Sequence, residues 1–202
     1  MPKAGIVTVV GKPNAGKSTL LNRIIGQKLS IVSPKPQSTR DRIVGIRTEG
    51  DVQMIIHDTP GLLNPKYALQ RAMRATALQA LDDADVIIYL VDSTEGDPEP
   101  LESAAGLERT PRVSVILAMN KVDRLPNAER ARLAGVVPDA VFVSASNGDG
   151  VPELLATAAE HLPESPFLYP EDEISTQNMR FFVAELVRAV VMPVGNHGGR
   201  RL

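Results

Sequence analysis

Eight consecutive residues restrict this chain more than any other feature: Gly11-Lys12-Pro13-Asn14-Ala15-Gly16-Lys17-Ser18, which fits G-x-x-x-x-G-K-[ST]. The pattern requires a buried strand before it and a helix after it, and both are legible. Gly5 to Val10 is a short apolar run rich in β-branched residues, and Lys17 to Ile25 carries apolar residues at helical spacing. The glycines let the backbone wrap so that successive N–H groups face a phosphate, at a helix N-terminus whose partial positive charge adds to the attraction. Lys17 is expected to neutralise phosphate charge, and Ser18 to place its hydroxyl on Mg²⁺.

Further apolar runs at Val52 to Ile56, Val86 to Val91, Val113 to Met119 and Ala140 to Val143 mostly lack polar alternation, as strands buried on both faces of a sheet do. Helical patterns lie between them: Lys66 to Leu81, weaker ones around Pro98 to Leu107 and Asn127 to Leu133, and Pro152 to Leu162. Ile43 to Thr48 and Val52 to Asp58 have only Glu49-Gly50-Asp51 between them, so they read as an antiparallel hairpin at a sheet edge. The expected fold is therefore α/β, a P-loop NTPase three-layer sandwich with a mostly parallel sheet and one antiparallel edge strand.

At roughly 100 to 200 residues per domain, a chain of 202 holds one full domain and a short appendage. The texture changes at Pro163: Pro163, Pro166 and Pro170 with Glu171-Asp172-Glu173 read as a linker leaving the domain. Met179, Phe182, Val183, Leu186, Val187 and Val190 then form an amphipathic stripe, and Pro193 to Arg201 break every pattern. The boundaries expected are 1–165 for the domain and 166–202 for linker and helix.

Composition excludes several chemistries. With no cysteine, disulfides, thiolate catalysis and Cys-ligated zinc or iron–sulfur sites are impossible, and three histidines leave little for a histidine-rich metal site. His57 and His161 read as structural and His197 as tail. A formal net charge of −2 provides no global positive field to recruit nucleic acid or anionic lipid, so such binding must be local. The apolar stretch from Ala4 to Val10 is too short for a signal-peptide core, and no run approaches 18 apolar residues, so a cytoplasmic protein is expected.

Three more motifs follow in order. Asp58-Thr59-Pro60-Gly61 closes the hairpin's second strand, where a carboxylate reaches a metal through water and a glycine amide meets a γ-phosphate; by itself it is only a turn former. Asn120-Lys121-Val122-Asp123 follows a strand. An Asp carboxylate accepts two hydrogen bonds from guanine N1–H and N2–H₂, a donor pair adenine lacks, and Lys121 covers a face of the base with its stem. Alone, the tetrapeptide would favour the reading of a polar capping cluster at a strand end. Ser144-Ala145-Ser146, after the last strand, supplies a backbone amide for guanine O6.

The ordered set Gly11–Ser18, Thr39, Asp58–Gly61, Asn120–Asp123 and Ser144–Ser146, with Pro36-Gln37-Ser38-Thr39-Arg40 and Asp-Thr-Pro-Gly, resembles the Era-like GTPases of the TrmE–Era group, over roughly residues 4 to 190. The resemblance implies GTP and GDP as ligands and hydrolysis of GTP as the activity. It places the nucleotide on Gly11, Lys12, Pro13, Asn14, Ala15, Gly16, Lys17, Ser18, Thr19, Asp58, Thr59, Pro60, Gly61, Asn120, Lys121, Asp123, Ser144, Ala145 and Ser146. Lys17, Thr39, Gly61 and Asn14 are the expected catalytic set, and Ser18, Thr39 and Asp58 the expected Mg²⁺ set, Thr39 being the switch threonine that reaches the metal with GTP bound. Ser38 stands where the family usually has a first threonine. The resemblance further implies a role in small-ribosomal-subunit assembly through small-subunit rRNA, a monomer, and peripheral membrane association. Related TrmE- or Der-type GTPases, or a nucleotide-dependent RNA-binding module with little hydrolysis, are the alternatives; Asn120 to Asp123 speak against an ATPase.

Two positions bear on mechanism. Leu62 stands where Ras-like GTPases carry the glutamine that orients the attacking water, and leucine cannot hydrogen-bond it. The resemblance suggests K⁺ at Asn14 in its place; Leu62 also reads as a core-facing residue of a loop. Lys28, Lys35, Arg40, Arg42 and Arg47 form an RNA-facing patch or, equally, a solvated loop. Era-like proteins resemble a G domain followed by a KH domain. Residues 176–191 look like that domain's first helix and no GXXG loop follows, so a truncated KH domain is expected, with RNA binding of the family kind doubtful.

Overall fold

A computed structural model describes residues 1–30, 42–62, 65, 68–107, 109–177, 181, 183 and 187. The strands are β1 (Lys3–Val10), β2 (Ile43–Glu49), β3 (Val52–Asp58), β4 (Val86–Asp92), β5 (Ser114–Asn120) and β6 (Val141–Phe142). The helices are α1 (Lys17–Ile25), α2 (Ala68–Asp82), α3 (Leu101–Ala105), α4 (Asn127–Val136) and α5 (Val151–His161). One six-stranded sheet runs in the order β2-β3-β1-β4-β5-β6. All pairings are parallel except β2 with β3, whose two-residue connection holds Gly50 at a positive φ of 57°.

The period of two along each buried strand divides the core between the faces of the sheet. In β4, Val86, Ile88 and Leu90 join Leu20, Leu21 and Ile24 of α1 and Leu154 and Ala158 of α5. Ile87 and Tyr89 of the same strand join Ala77 and Leu81 of α2 and Leu101 and Ala105 of α3 on the other face. Helices on both faces of a mostly parallel sheet make three layers, as the alternating sequence pattern implies.

The Pro-rich segment after α5 departs from its expected course. It does not leave the sheet but follows its N-terminal rim and open edge. Ala4 N–H donates to the Pro163 carbonyl at 3.3 Å and Ser165 N–H to the Pro2 carbonyl at 3.1 Å. Gln53, wholly buried, accepts from the amides of Leu168 and Tyr169 and donates to the Tyr169 carbonyl. Along β2, Ile46 N–H donates to the Ile174 carbonyl at 2.9 Å, Ser175 Oγ to the Val44 carbonyl at 2.5 Å, and Val44 N–H to Gln177 Oε1 at 3.2 Å. The physical reason is edge satisfaction: β2 ends the sheet, and its outward N–H and C=O groups need partners.

Beyond it, Phe181 packs against the core on the α1 and α5 face, whereas Val183 and Val187 of the expected apolar stripe are exposed. Met179, Phe182, Leu186 and Val190 lie outside the described residues.

Candidate functional site

β1 sits between β3 and β4, so the connections leaving its two neighbours open a crevice at the carboxyl ends of the strands. The loop 11–16 lies there, and its shape depends on small residues. A side chain at Gly11 would put Cβ 2.1 Å from the Leu90 carbonyl oxygen; one at Gly16 would put it 2.2 Å from Asn120 Nδ2. Asn14 and Gly16 take positive φ of 64° and 104°, turning the backbone into a ring. α1 begins at Lys17 with no side-chain cap, so its first N–H groups remain available to an anion.

Lys17 is buried, and its Nζ donates to the carbonyls of Gly11 and Lys12, both at 3.0 Å. Burial pulls its pKa down to about 8, opposed by the Asp58 charge. Lys12 turns its own ammonium to Glu99 at 3.1 Å. Asp58 ends β3 fully buried, and its Oδ2 accepts from Ser18 Oγ at 2.7 Å and Ser30 Oγ at 2.8 Å. Thr59 Oγ1 donates to the Val9 carbonyl at 2.8 Å, and Leu62 N–H to the Gly11 carbonyl at 2.9 Å. Gly61 lies so close to the loop that a Cβ would meet Pro13 N at 2.8 Å, and Pro60 is buried beside it. The Leu62 side chain is buried with Val10, Ala77 and Leu81, which is the core-facing arrangement.

The third corner is joined to the first by one side chain. Asn120, at the end of β5, donates from Nδ2 to the Ala15 carbonyl at 2.7 Å and accepts at Oδ1 from Ala145 N–H at 2.9 Å. Asp123 accepts from Ser144 Oγ at 2.5 Å, and Ser146 Oγ lies 2.9 Å from that hydroxyl. Because Ser144 has a single hydroxyl proton, Ser146 is the donor to Ser144. Lys121 stands at a φ of 67° with its ammonium on Asp92. Burial pushes the Asp92 carboxyl up, but hydrogen bonds from Lys121 and Thr94 outweigh it and hold the group below its ordinary value.

Loops far apart in sequence thus converge on one crevice. It offers an anion-sized ring of backbone, a buried ammonium, a hydroxyl and carboxylate pair of hard oxygens suited to Mg²⁺, and an exposed carboxylate beside a serine loop. Thr19, on α1 next to Ser18, lines a cavity of about 330 Å³ with Lys28, Ala145 and Ser146. Thr39 lies outside the described residues, as do Lys35 and Arg40. Of the basic segment, Arg42 pairs with Asp83 at 2.9 Å, and Arg47 donates to Glu49 at 2.6 Å and to the Ile24 carbonyl, so both are engaged within the chain. His57 is buried, and His161 lies 3.1 Å from Ser114 Oγ, in keeping with structural roles. Among the described residues no cluster of three or more His, Asp or Glu forms a metal site, and no helix is long and apolar enough to cross a membrane.

Several participants have no signature in the sequence. Arg23 donates to the carbonyls of Ala145 and Ser146, Ser93 Oγ donates to the Asn120 carbonyl at 2.6 Å, and Asn22 and Ser30 stand behind Asp58. No local spacing connects residue 23 with 145, or 30 with 58.

Strand order, the Gly-rich loop before α1 and the Asn120–Asp123 loop joined to Ala145 together define a P-loop GTPase fold. The family described as 50S ribosome-binding GTPase matches residues 6–121, and the chain belongs to it, among the Era GTPases. It is 46% identical over 200 residues to GTPase Era of Pseudomonas syringae pv. tomato, covering 94% of this chain and 66% of that protein. A crystal structure of Era in complex with MgGDPNP and nucleotides 1506–1542 of 16S ribosomal RNA superposes with a TM-score of 0.85 at 38% identity, covering 94% of this chain and 67% of that one. A single-substitution variant of Aquifex aeolicus Era bound to GDP.AlF4- gives 0.83 at 38% identity, over 93% of this chain and 66% of that one. The chain spans about two thirds of the length of the curated relatives it matches.

Proposed function

We propose that this chain binds GTP with Mg²⁺ and hydrolyses it to GDP and phosphate, the switch chemistry of an Era-type GTPase of small-ribosomal-subunit assembly. Asn120 carries the reading: one side chain holds the phosphate ring at Ala15 and the serine loop at Ala145 in a single pocket. A relative of 38% identity crystallised with MgGDPNP and 16S rRNA supports it.

In this reading residues 11–18 wrap the phosphates and Lys17 exchanges its carbonyl partners for phosphate oxygens. Ser18, Asp58 and Thr39 would hold Mg²⁺, which neutralises charge developing on the transferred phosphoryl group. The Gly61 amide faces the γ-phosphate and relaxes with Thr39 once phosphate leaves. Asp123 reads guanine, Lys121 covers its face, and Ala145 with its serine neighbours closes over O6. Residues 1–165 are the G domain, with 166–177 lying along the open edge of its sheet.

Calorimetric titration with GTP, GDP and ATP tests the base assignment. Tight binding of both guanine nucleotides and none of ATP is expected, with Asp123→Asn losing at least about a hundredfold because a carboxamide presents a donor to the guanine donors. ATP affinity equal to GTP would overturn it. With Leu62 turned into the core, a K⁺ ion held at Asn14 would supply charge stabilisation; turnover is expected to be faster in KCl than in NaCl, and the difference to vanish in Asn14→Asp. Equal rates in the two salts would remove K⁺ from the reading.

A further inference from the structure

Ser30 belongs to none of the sequence motifs, yet it is almost wholly buried and shares Asp58 Oδ2 with Ser18. It does not reach that carboxylate by chance of a loop. The Asn22 carboxamide grips its backbone at two points: Oδ1 accepts from Ser30 N–H at 2.8 Å, and Nδ2 donates to the Ser30 carbonyl at 2.7 Å. Asn22 lies four residues after Ser18 on α1, so the two project from the same side of one rigid helix. Gly26, at a φ of 73°, closes α1 and turns the chain back, and Leu29 plugs the turn into the core. α1 therefore supplies one hydroxyl directly and positions the other through the carboxamide.

We propose that Ser30, clamped by Asn22, is a positioning residue for Asp58 that sets how strongly Mg²⁺ retains the nucleotide. This rests on the reading of Ser18 and Asp58 as the Mg²⁺ pair. Two hydroxyl donors on one buried oxygen fix the rotation of the carboxylate about its last torsion and satisfy that oxygen. Removing the Ser30 hydroxyl frees the rotation while leaving the phosphate ring untouched, since among the described residues the hydrogen bonds of Ser30 go to Asn22 and Asp58.

The test is the release rate of a fluorescent GDP analogue from the whole chain, in excess Mg²⁺ and in EDTA, with the melting temperature recorded in parallel. Wild type is expected to release much more slowly in Mg²⁺. Ser30→Ala is expected to lose about tenfold or more of that slowing, the range typical when the partner of a metal ligand is removed, with its EDTA rate within about twofold of wild type. Asn22→Ala leaves every hydroxyl in place and is expected to move the ratio in the same direction; if Ser30→Ala does not fold, Asn22→Ala decides. The double variant should be no worse than Ser30→Ala alone, because both act through one contact. A variant with a lowered melting temperature and an unchanged Mg²⁺ ratio overturns the proposal, leaving Ser30 a structural residue. A wild type that binds GDP with no Mg²⁺ effect overturns instead the assignment of Ser18 and Asp58, and one that binds no GDP overturns the nucleotide reading itself.

Discussion

Lys17 shows how a functional residue strains the fold that holds it. Its ammonium is buried against two carbonyls, and burial lowers its pKa to about 8 from an ordinary 10.5. Below pH 8 the group is charged in both folded and unfolded chains, so the cost of burying it is present in full. Between about 8 and 10.5 the folded chain sheds the proton first, and stability rises with pH. Lys17→Met, which keeps the stem and removes the charge, is expected to be more stable than wild type at pH 7 without nucleotide, the gap narrowing from pH 8 to 10.5. Denaturant melts of both proteins across that range measure it, and a gap that stays constant contradicts the argument. The identity of Lys17 was plain from its spacing to Gly11 and Gly16. What Asn120 does was not. The sequence groups it with the base-reading set, whereas its side chain spends both atoms joining Ala15 and Ala145, 105 and 25 residues away, and separations of that kind leave no periodicity to read.

At the scale of elements the segment 163–177 teaches the most. Three prolines and an acidic run lack helical and strand periods, and so look like a linker. Covering a sheet edge needs only a few well-placed donors and acceptors, which no hydropathy pattern encodes. Gln53 illustrates the point: its carboxamide is fully buried, with donors spent on Thr48 and Tyr169 and its oxygen on the amides of Leu168 and Tyr169. Gln53→Ala removes these bonds from part-buried backbone groups that water can partly satisfy, and is expected to cost about 1 to 2 kcal/mol. Ending the chain at Pro163 is expected to lower the melting temperature and promote association through the bared edge of β2. GDP affinity should stay within a few-fold, because none of the described hydrogen bonds of this segment reaches residues 11–18 or 120–123. Calorimetry on the shortened chain settles which effect dominates; a loss of GDP binding at a temperature where it remains folded refutes the separation of edge from site. The helices show the contrast. α1 was legible to its last residue because it is both amphipathic and flanked by glycine, whereas Val183 and Val187, read as part of an amphipathic stripe, are exposed.

For the whole molecule, the alternation of apolar runs with helical patterns and the single short hairpin dictated three layers and one antiparallel edge, while the order of strands across the sheet had to come from packing. That order brings the ends of β1, β3, β4 and β5 to one rim, so a ligand in the crevice adds to the side-chain links, Asn120 to Ala15 and Ser18 to Asp58, that already join them. Binding to the folded chain alone stabilises it by about 2.7 kcal/mol at a hundred times Kd, which for a chain of this size is a rise in Tm of roughly 5 to 10 °C. Mg²⁺ with GDP is expected to produce a shift of that order in a thermal melt. ATP at the same concentration should produce almost none, although its phosphates suit the same ring, because its base presents no donor pair to Asp123. Lys17→Met should abolish the shift by GDP, and Asp123→Asn should abolish it while leaving the phosphate ring intact. The two variants fail at opposite ends of the nucleotide. If ATP raises Tm as much as GDP, Asp123 does not select the base, and only the phosphate half of the site survives as a functional assignment.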